Sequence, residues 1–148
     1  MELRAALLAL NGPDVPLRVR NALPAENADL VAEWRVLEPA TGRGSSRRQL
    51  ERSLMTRMRL DPERREVRTL DEQWQVTLIG DPPRRSLSRE YGRGQSTTVS
   101  RQWTYERGID GRRRKVETFR FDTREMRNLL QQVVLDAGWI WRGMLFKV

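Results

Sequence analysis

The chain contains no cysteine and no histidine. Disulfides, thiol chemistry and a Ser–His–Asp triad are therefore excluded within it, and zinc, iron–sulfur and haem–histidine sites lack their usual ligands. The missing cysteine leaves the redox compartment undecided, while removing any disulfide argument for secretion. Lysine is almost absent too: Lys115 and Lys147 stand against 26 arginines. No apolar run approaches the roughly 20 residues of a membrane-spanning helix. Ala5–Leu10 is apolar but too short and too weakly flanked for a signal peptide. The expectation is a cytoplasmic protein with no metal, no cofactor and no catalytic residue set.

What is present is enough for one domain over residues 1–148, since a chain of this size buries a core without disulfides or metal. Hydrophobic residues make up 38% and charged residues 32%, so the apolar positions must be well placed. The net charge of +8 favours anionic partners but says nothing about fold. The arginine excess has two readings. Arginine grips phosphate and stacks on bases; a GC-rich genome also favours its codons. Its spread along the whole chain fits the second reading.

Periodicity orders the chain. Residues 2–10 are helix formers stopped by Asn11-Gly12-Pro13. Pro16–Arg20 alternates as a short edge strand. Asp29–Leu37 is a cleaner strand, with Leu30, Ala32, Trp34 and Val36 on one face. Residues 38–49 and 81–95, rich in glycine, serine and charge, predict mobile loops. Between them come Ser53–Leu60, with Leu54, Thr56, Met58 and Leu60 inward, then a turn at Asp61-Pro62-Glu63-Arg64. The pattern continues with a strand over Glu66–Leu70 and a separate one over Gln73–Ile79, with Trp74, Val76 and Leu78 inward. Thr97–Glu106 and Arg114–Phe121 form a hairpin through Gly108-Ile109-Asp110-Gly111, where Asp-Gly tolerates positive φ.

Asp122 and Glu125 form a capping box ahead of an amphipathic helix, Thr123–Ala137. Its stripe is Met126, Leu129, Leu130, Val133, Val134 and Ala137, and Gly138 stops it. A final strand, Trp139–Phe146, is apolar on both faces, as expected of a central strand or a contact surface. The fold expectation is α+β: a mostly antiparallel sheet of about seven to eight strands, a short N-terminal helix, and the closing helix and strand. The short connections predict no crossovers.

The charge is uneven. Residues 81–121 carry eleven positive and five negative charges, whereas 1–80 and 122–148 are each near balance at +1. The excess comes from Arg84, Arg85, Arg89 and Arg93, and from Arg107, Arg112, Arg113, Arg114 and Lys115. If the two segments meet at one end of the sheet, they form a cationic patch suited to phosphate backbones, acidic lipids or an acidic protein. Tyr91 among these arginines could stack on a base. The alternative is a pair of solvated loops. The five tryptophans all fall in predicted strands, which points to core rather than a ligand cavity. Trp139 and Trp141 are the exceptions, as a possible subunit interface. Asp71 and Glu72 are adjacent, so they point opposite ways in a strand and cannot act as a catalytic pair. Gly42-Arg43-Gly44 and Gly92-Arg93-Gly94 lack the ending and setting of nucleotide loops. Arg84-Arg85-Ser86-Leu87-Ser88 resembles a basophilic kinase site, a pattern common by chance.

Three stretches carry a resemblance. These are Ala28-Asp29-Leu30-Val31-Ala32-Glu33-Trp34, then Arg59-Leu60-Asp61-Pro62 with Glu66-Val67-Arg68, and finally Ala137-Gly138-Trp139 with Trp141-Arg142-Gly143. Together they resemble a group of small uncharacterised actinobacterial proteins. The likeness covers most of the chain, through turns, caps and core aromatics, and implies no activity. Residues 42–48 depart from the group, which is more apolar there. The functional expectation is a non-enzymatic binding or adaptor protein for an anionic partner, nucleic acid or an acidic protein surface. The alternatives are an assembly subunit, such as a homo-oligomer, using the last strand, or a carrier of a hydrophobic ligand.

Overall fold

The computed structural model describes residues 3–80, 84–93 and 99–144, with backbone alone at 84–93, 102–106 and 116–120. It is α+β, with eight strands and two α-helices. Helix α1 is Leu3–Leu8, followed by β1 (Arg18–Asn21), β2 (Leu30–Leu37), β3 (Arg48–Asp61), β4 (Glu66–Ile79) and β5 (Arg84–Arg93). Then come β6 (Val99–Arg107), β7 (Arg113–Asp122), helix α2 (Thr123–Asp136) and β8 (Ile140–Met144). Strands β1 to β5 pair antiparallel in chain order, and β8 adds to β4 in parallel, making six strands. Strands β6 and β7 form a separate two-stranded ribbon.

The centre is the ladder between β3 and β4, unbroken from Arg48↔Ile79 to Asp61↔Glu66. The reading of two strands around Asp71-Glu72 is corrected: β4 is one strand of 14 residues. Side chains alternate along a strand, so a continuous ladder fixes every face at once. Val67 joins the helix-side core, which places Thr69, Asp71 and Gln73 on that side too. Trp74, Val76 and Leu78 therefore lie on the opposite face, not inward toward the helices. Leu54, Thr56 and Met58 keep the side expected of them.

Segment 81–95, expected as a loop, contains β5 instead, hydrogen-bonded to β4 from Glu72↔Arg93 to Ile79↔Arg84. Charged edge strands are ordinary, because a charged rim discourages pairing with other chains. Residues 38–49 are also more ordered than a loop. Thr41 and Arg48 exchange backbone hydrogen bonds of 2.8 and 2.7 Å, and β3 begins at Arg48. The expectation of no crossover fails at β8. Its five residues run parallel to β4, Glu66↔Ile140 to Leu70↔Met144, so the sheet is mixed. Strand β3 fills one edge of β4 along its length; β8 and β5 divide the other edge between them. Strand β8 is thus not central, and residues 145–146 of the expected strand lie outside the described residues.

Both helices cover one face of the sheet. Leu3 and Leu7 from α1 and Met126, Leu130 and Val134 from α2 join Val19, Leu30, Ala32, Trp34, Leu54, Met58 and Val67 in one cluster. Asp122 caps α2 by accepting the Arg124 amide hydrogen at 3.0 Å, as its position before the stripe predicts. The helix ends on Gly138 at φ +80°, with Gly138 N–H donating to Leu135 and Trp139 N–H to Val134. Ile140 N–H then donates to Arg65 O at 2.8 Å, which starts β8. Trp139 and Trp141 are half-buried and pack on the core.

Leu130 is fully buried where α2 meets the sheet. Leu130→Ala is expected to cost about 2–5 kcal/mol in urea unfolding, from lost burial and the cavity left behind. Asp122→Ala is expected to cost about 1 kcal/mol by the same measurement.

Candidate functional site

The basic residues fall in two separate places. Arg84, Arg85, Arg89, Tyr91 and Arg93 belong to β5, within the main sheet, where Trp74 pairs with Tyr91. Their side chains lie outside the described residues. Arg107, Arg112, Arg113, Arg114 and Lys115 surround the tip of the β6–β7 ribbon. The two segments are thus not neighbouring loops: one is a sheet strand and the other is the end of a ribbon in a different sheet.

The ribbon ends in a tight, exposed turn. Its tip turn closes with Gly108 N–H donating to Arg112 O at 2.8 Å and Gly111 N–H to Gly108 O at 2.9 Å. Gly111 sits at φ +77°, where a side chain would be strained. Asp110 Oδ1 accepts from Arg112 N–H at 3.0 Å, the role expected of an Asp-Gly turn. Further down, Gln102 pairs with Phe119 but Trp103 with Glu117, so Thr118 is an extra residue in β7. Such a bulge bends a ribbon and increases its twist.

All five cations at the tip are exposed, and so is Ile109. Arg107 lies directly opposite Arg113, and Lys115 shares their face two residues on. Arg114 occupies the other face, and Arg112 lies in the turn before β7. Like charges opposite each other across a ladder are destabilising. The backbone ladder holds them together nonetheless, and Asp110 is the one acidic residue in the described tip, Arg107–Lys115.

The ribbon's base is fastened firmly. Phe121 is buried and stacks on Trp34, with ring centroids 4.7 Å apart at 41°. Glu38, buried just past β2, accepts from the Ser100 hydroxyl of β6 and from Arg52 Nε at 3.2 Å. Glu38 is a residue that pattern reading assigned to a loop. The only signal for it was an acidic residue directly after an alternating strand, which is too weak to stand out.

Two further polar groups sit around the sheet. On the helix side, Asp71 accepts from Thr56 Oγ1 at 2.7 Å and faces Arg127 of α2 at 3.7 Å. Burial pushes its carboxyl above the ordinary aspartate range, against the opposing pull of Thr56 and Arg127. Glu72 points the other way and pairs with Arg57 at 3.2 Å. The two adjacent carboxylates are thus on opposite faces, as strand geometry requires. The second feature is a hollow of about 350 Å³ on the face away from α2, lined among others by Glu33, Arg35, Glu51, Met55, Trp74 and Val76. Arg35 and Glu51 pair at 2.6 Å there, so the lining is as much charged as apolar. Trp34 is core, and Trp103's side chain is outside the described residues.

Among the described residues no three carboxylates gather as a metal site, and no helix is long and apolar enough to cross a membrane. Comparison with protein-family models, curated proteins and solved structures finds no match.

The raised Asp71 pKa has a direction in stability. A carboxyl that holds its proton more tightly when folded adds stability below the unfolded pKa, and loses it as pH rises through the folded pKa. Unfolding free energies of the wild type and Asp71→Asn, followed from acid to neutral pH, should therefore diverge. The variant gains on the wild type as pH rises, since asparagine can still accept from Thr56 without carrying charge.

Proposed function

We propose that this protein is a non-enzymatic binding protein that engages an anionic partner through the tip of the β6–β7 ribbon. The observation that supports this reading is the cluster of Arg107, Arg112, Arg113, Arg114 and Lys115, exposed on both faces of one ribbon end. A surface of this kind neutralises phosphates and releases their counterions. A two-stranded ribbon has the width to enter the major groove of a DNA duplex, so nucleic acid is the favoured partner over an acidic protein surface. Arginine is the better residue for either, since its planar fork meets two oxygens at once. A cytoplasmic setting accords with such a partner. Arg84, Arg85, Arg89 and Arg93 are not required by this reading.

The edge of β8 favours a second role, as an assembly subunit. Strand β8 pairs only with β4 among the described residues, and Ile140 is exposed on it. A partner strand could add there. Trp139 and Trp141, by contrast, are half-buried and pack on the chain's own core.

Fluorescence anisotropy with duplex and single-stranded oligonucleotides, at rising salt, tests the first role. Binding should weaken along a straight log–log line, with a slope of about 0.9 per phosphate contacted on a duplex. The triple variant Arg112→Gln, Arg113→Gln, Arg114→Gln should bind more weakly and show a shallower slope. No binding to any oligonucleotide at low salt would remove nucleic acid as the partner. For the second role, sedimentation should show a self-associating protein that Ile140→Lys returns to monomer.

A further inference from the structure

The sheet face turned away from α2 carries its own group of arginines, far from the ribbon tip in the topology. Arg59 of β3 lies directly opposite Arg68 of β4, and Arg68 is directly opposite Arg142 of β8. Three guanidinium side chains thus stand in a row across three hydrogen-bonded strands, whose backbones are about 4.8 Å apart. Placing like charges opposite each other costs stability. Two other arginines of the same face are neutralised. Arg20 pairs with Glu26 at 2.7 Å and Glu33 at 2.9 Å, and Arg57 pairs with Glu72 at 3.2 Å.

The row is different. Arg142 pairs with Glu66 at 3.1 Å, through one nitrogen of a side chain that remains 60% exposed. Arg59 donates only to the uncharged Asn27 carbonyl, at 2.7 Å. Arg68 has no hydrogen bond or ion pair among the described residues. The Nε atoms of Arg59 and Arg68, with that of Arg57 in the adjacent row, are shut from solvent without an acceptor among the described residues. A buried donor left unsatisfied is costly. Val31 and Leu70, which flank Arg57 across the ladders, are fully buried on this face, consistent with arginine stems lying over them.

We propose that Arg59, Arg68 and Arg142 form a binding site for a phosphoryl group on the open face of the sheet. A carboxylate offers two oxygens in one plane and suits one or two forks. A terminal phosphate offers three oxygens around a tetrahedral centre, one for each arginine of the row. It also carries enough charge to neutralise Arg59 and Arg68 together. Glu66 holds Arg142 at the rim, and Arg142's exposure leaves the site open to solvent.

The test uses the full chain carrying the three ribbon-tip substitutions together with Arg107→Gln and Lys115→Gln, so that all five tip cations are removed. Inorganic pyrophosphate is titrated by calorimetry at constant ionic strength, with thermal unfolding in parallel. Pyrophosphate should bind and raise the melting temperature, whereas chloride at equal ionic strength should not. Arg68→Gln should weaken binding about tenfold or more. Without pyrophosphate, the same variant should melt higher than its parent, because the repulsion is relieved. Arg68→Lys keeps the charge without the fork and should also bind more weakly. Arg18→Gln, an exposed position outside the row, should change neither reading. A parallel titration with a single-stranded oligonucleotide separates a terminal phosphate from a nucleic-acid backbone as the source. Failure of both ligands to bind, or unchanged affinity in both Arg68 variants, overturns the proposal.

Discussion

The ladder between β3 and β4 decides the position of almost everything else. Its 14 register pairs run without a bulge, so one choice of phase at Leu54 and Val67 sets the phase of the whole centre. A slip by one residue would carry Met58 and Leu54 to the outer face and bring arginines beneath α2. Asp71 and Glu72 show the constraint at its sharpest. They are adjacent in sequence and both buried, yet one meets a helix arginine and the other a strand arginine on opposite sides of the sheet. Strand β4 then serves as the common rail for β8 at one half and β5 at the other.

The arginine excess divides by place. On the outer face, Arg20, Arg35 and Arg57 are held by carboxylates, as expected where charge is needed to make an open sheet face compatible with water. Arg59 and Arg68 sit on the two central strands near the β3–β4 turn, without such partners among the described residues. At the ribbon tip, the cations instead crowd a turn with one aspartate among them. Among the described residues, acidic partners thus accompany the arginines of the outer face unevenly.

Much of the architecture was legible in the sequence, because local signals agree with the tertiary outcome there. The Asp122 cap, the stripe Met126, Leu130, Val134, the Gly138 stop and the Asp110-Gly111 turn are all short-range features. The errors came where a tertiary partner outweighs local composition. Arg84–Arg93 is polar and basic, yet β4 offers it a free edge and it pairs. Asp71-Glu72 reads as a break, yet the unbroken partner strand carries the chain through it, and the phase of Trp74 follows. The parallel pairing of β8 depends on a partner more than sixty residues earlier, which periodicity cannot report. The ribbon tip was legible as a charge excess. The row Arg59, Arg68, Arg142 was not, because its members are scattered in sequence and meet only through register.

The junction of ribbon and helix has a mechanical meaning. Asp122 is at once the last residue of β7 and the cap of α2, so no linker separates them. One residue before it, Phe121 is wedged against Trp34 in the core. On the other strand of the ribbon, Ser100 is tied to buried Glu38. The ribbon is therefore tied to the core at the base of both strands, and the Thr118 bulge is the irregularity between base and tip among the described residues. A sideways load at Ile109 is carried down about 27 Å of strand, from the spacing of β residues, and arrives at the helix cap and the core stack. Whatever grips the tip also pulls on the packing that holds the domain together.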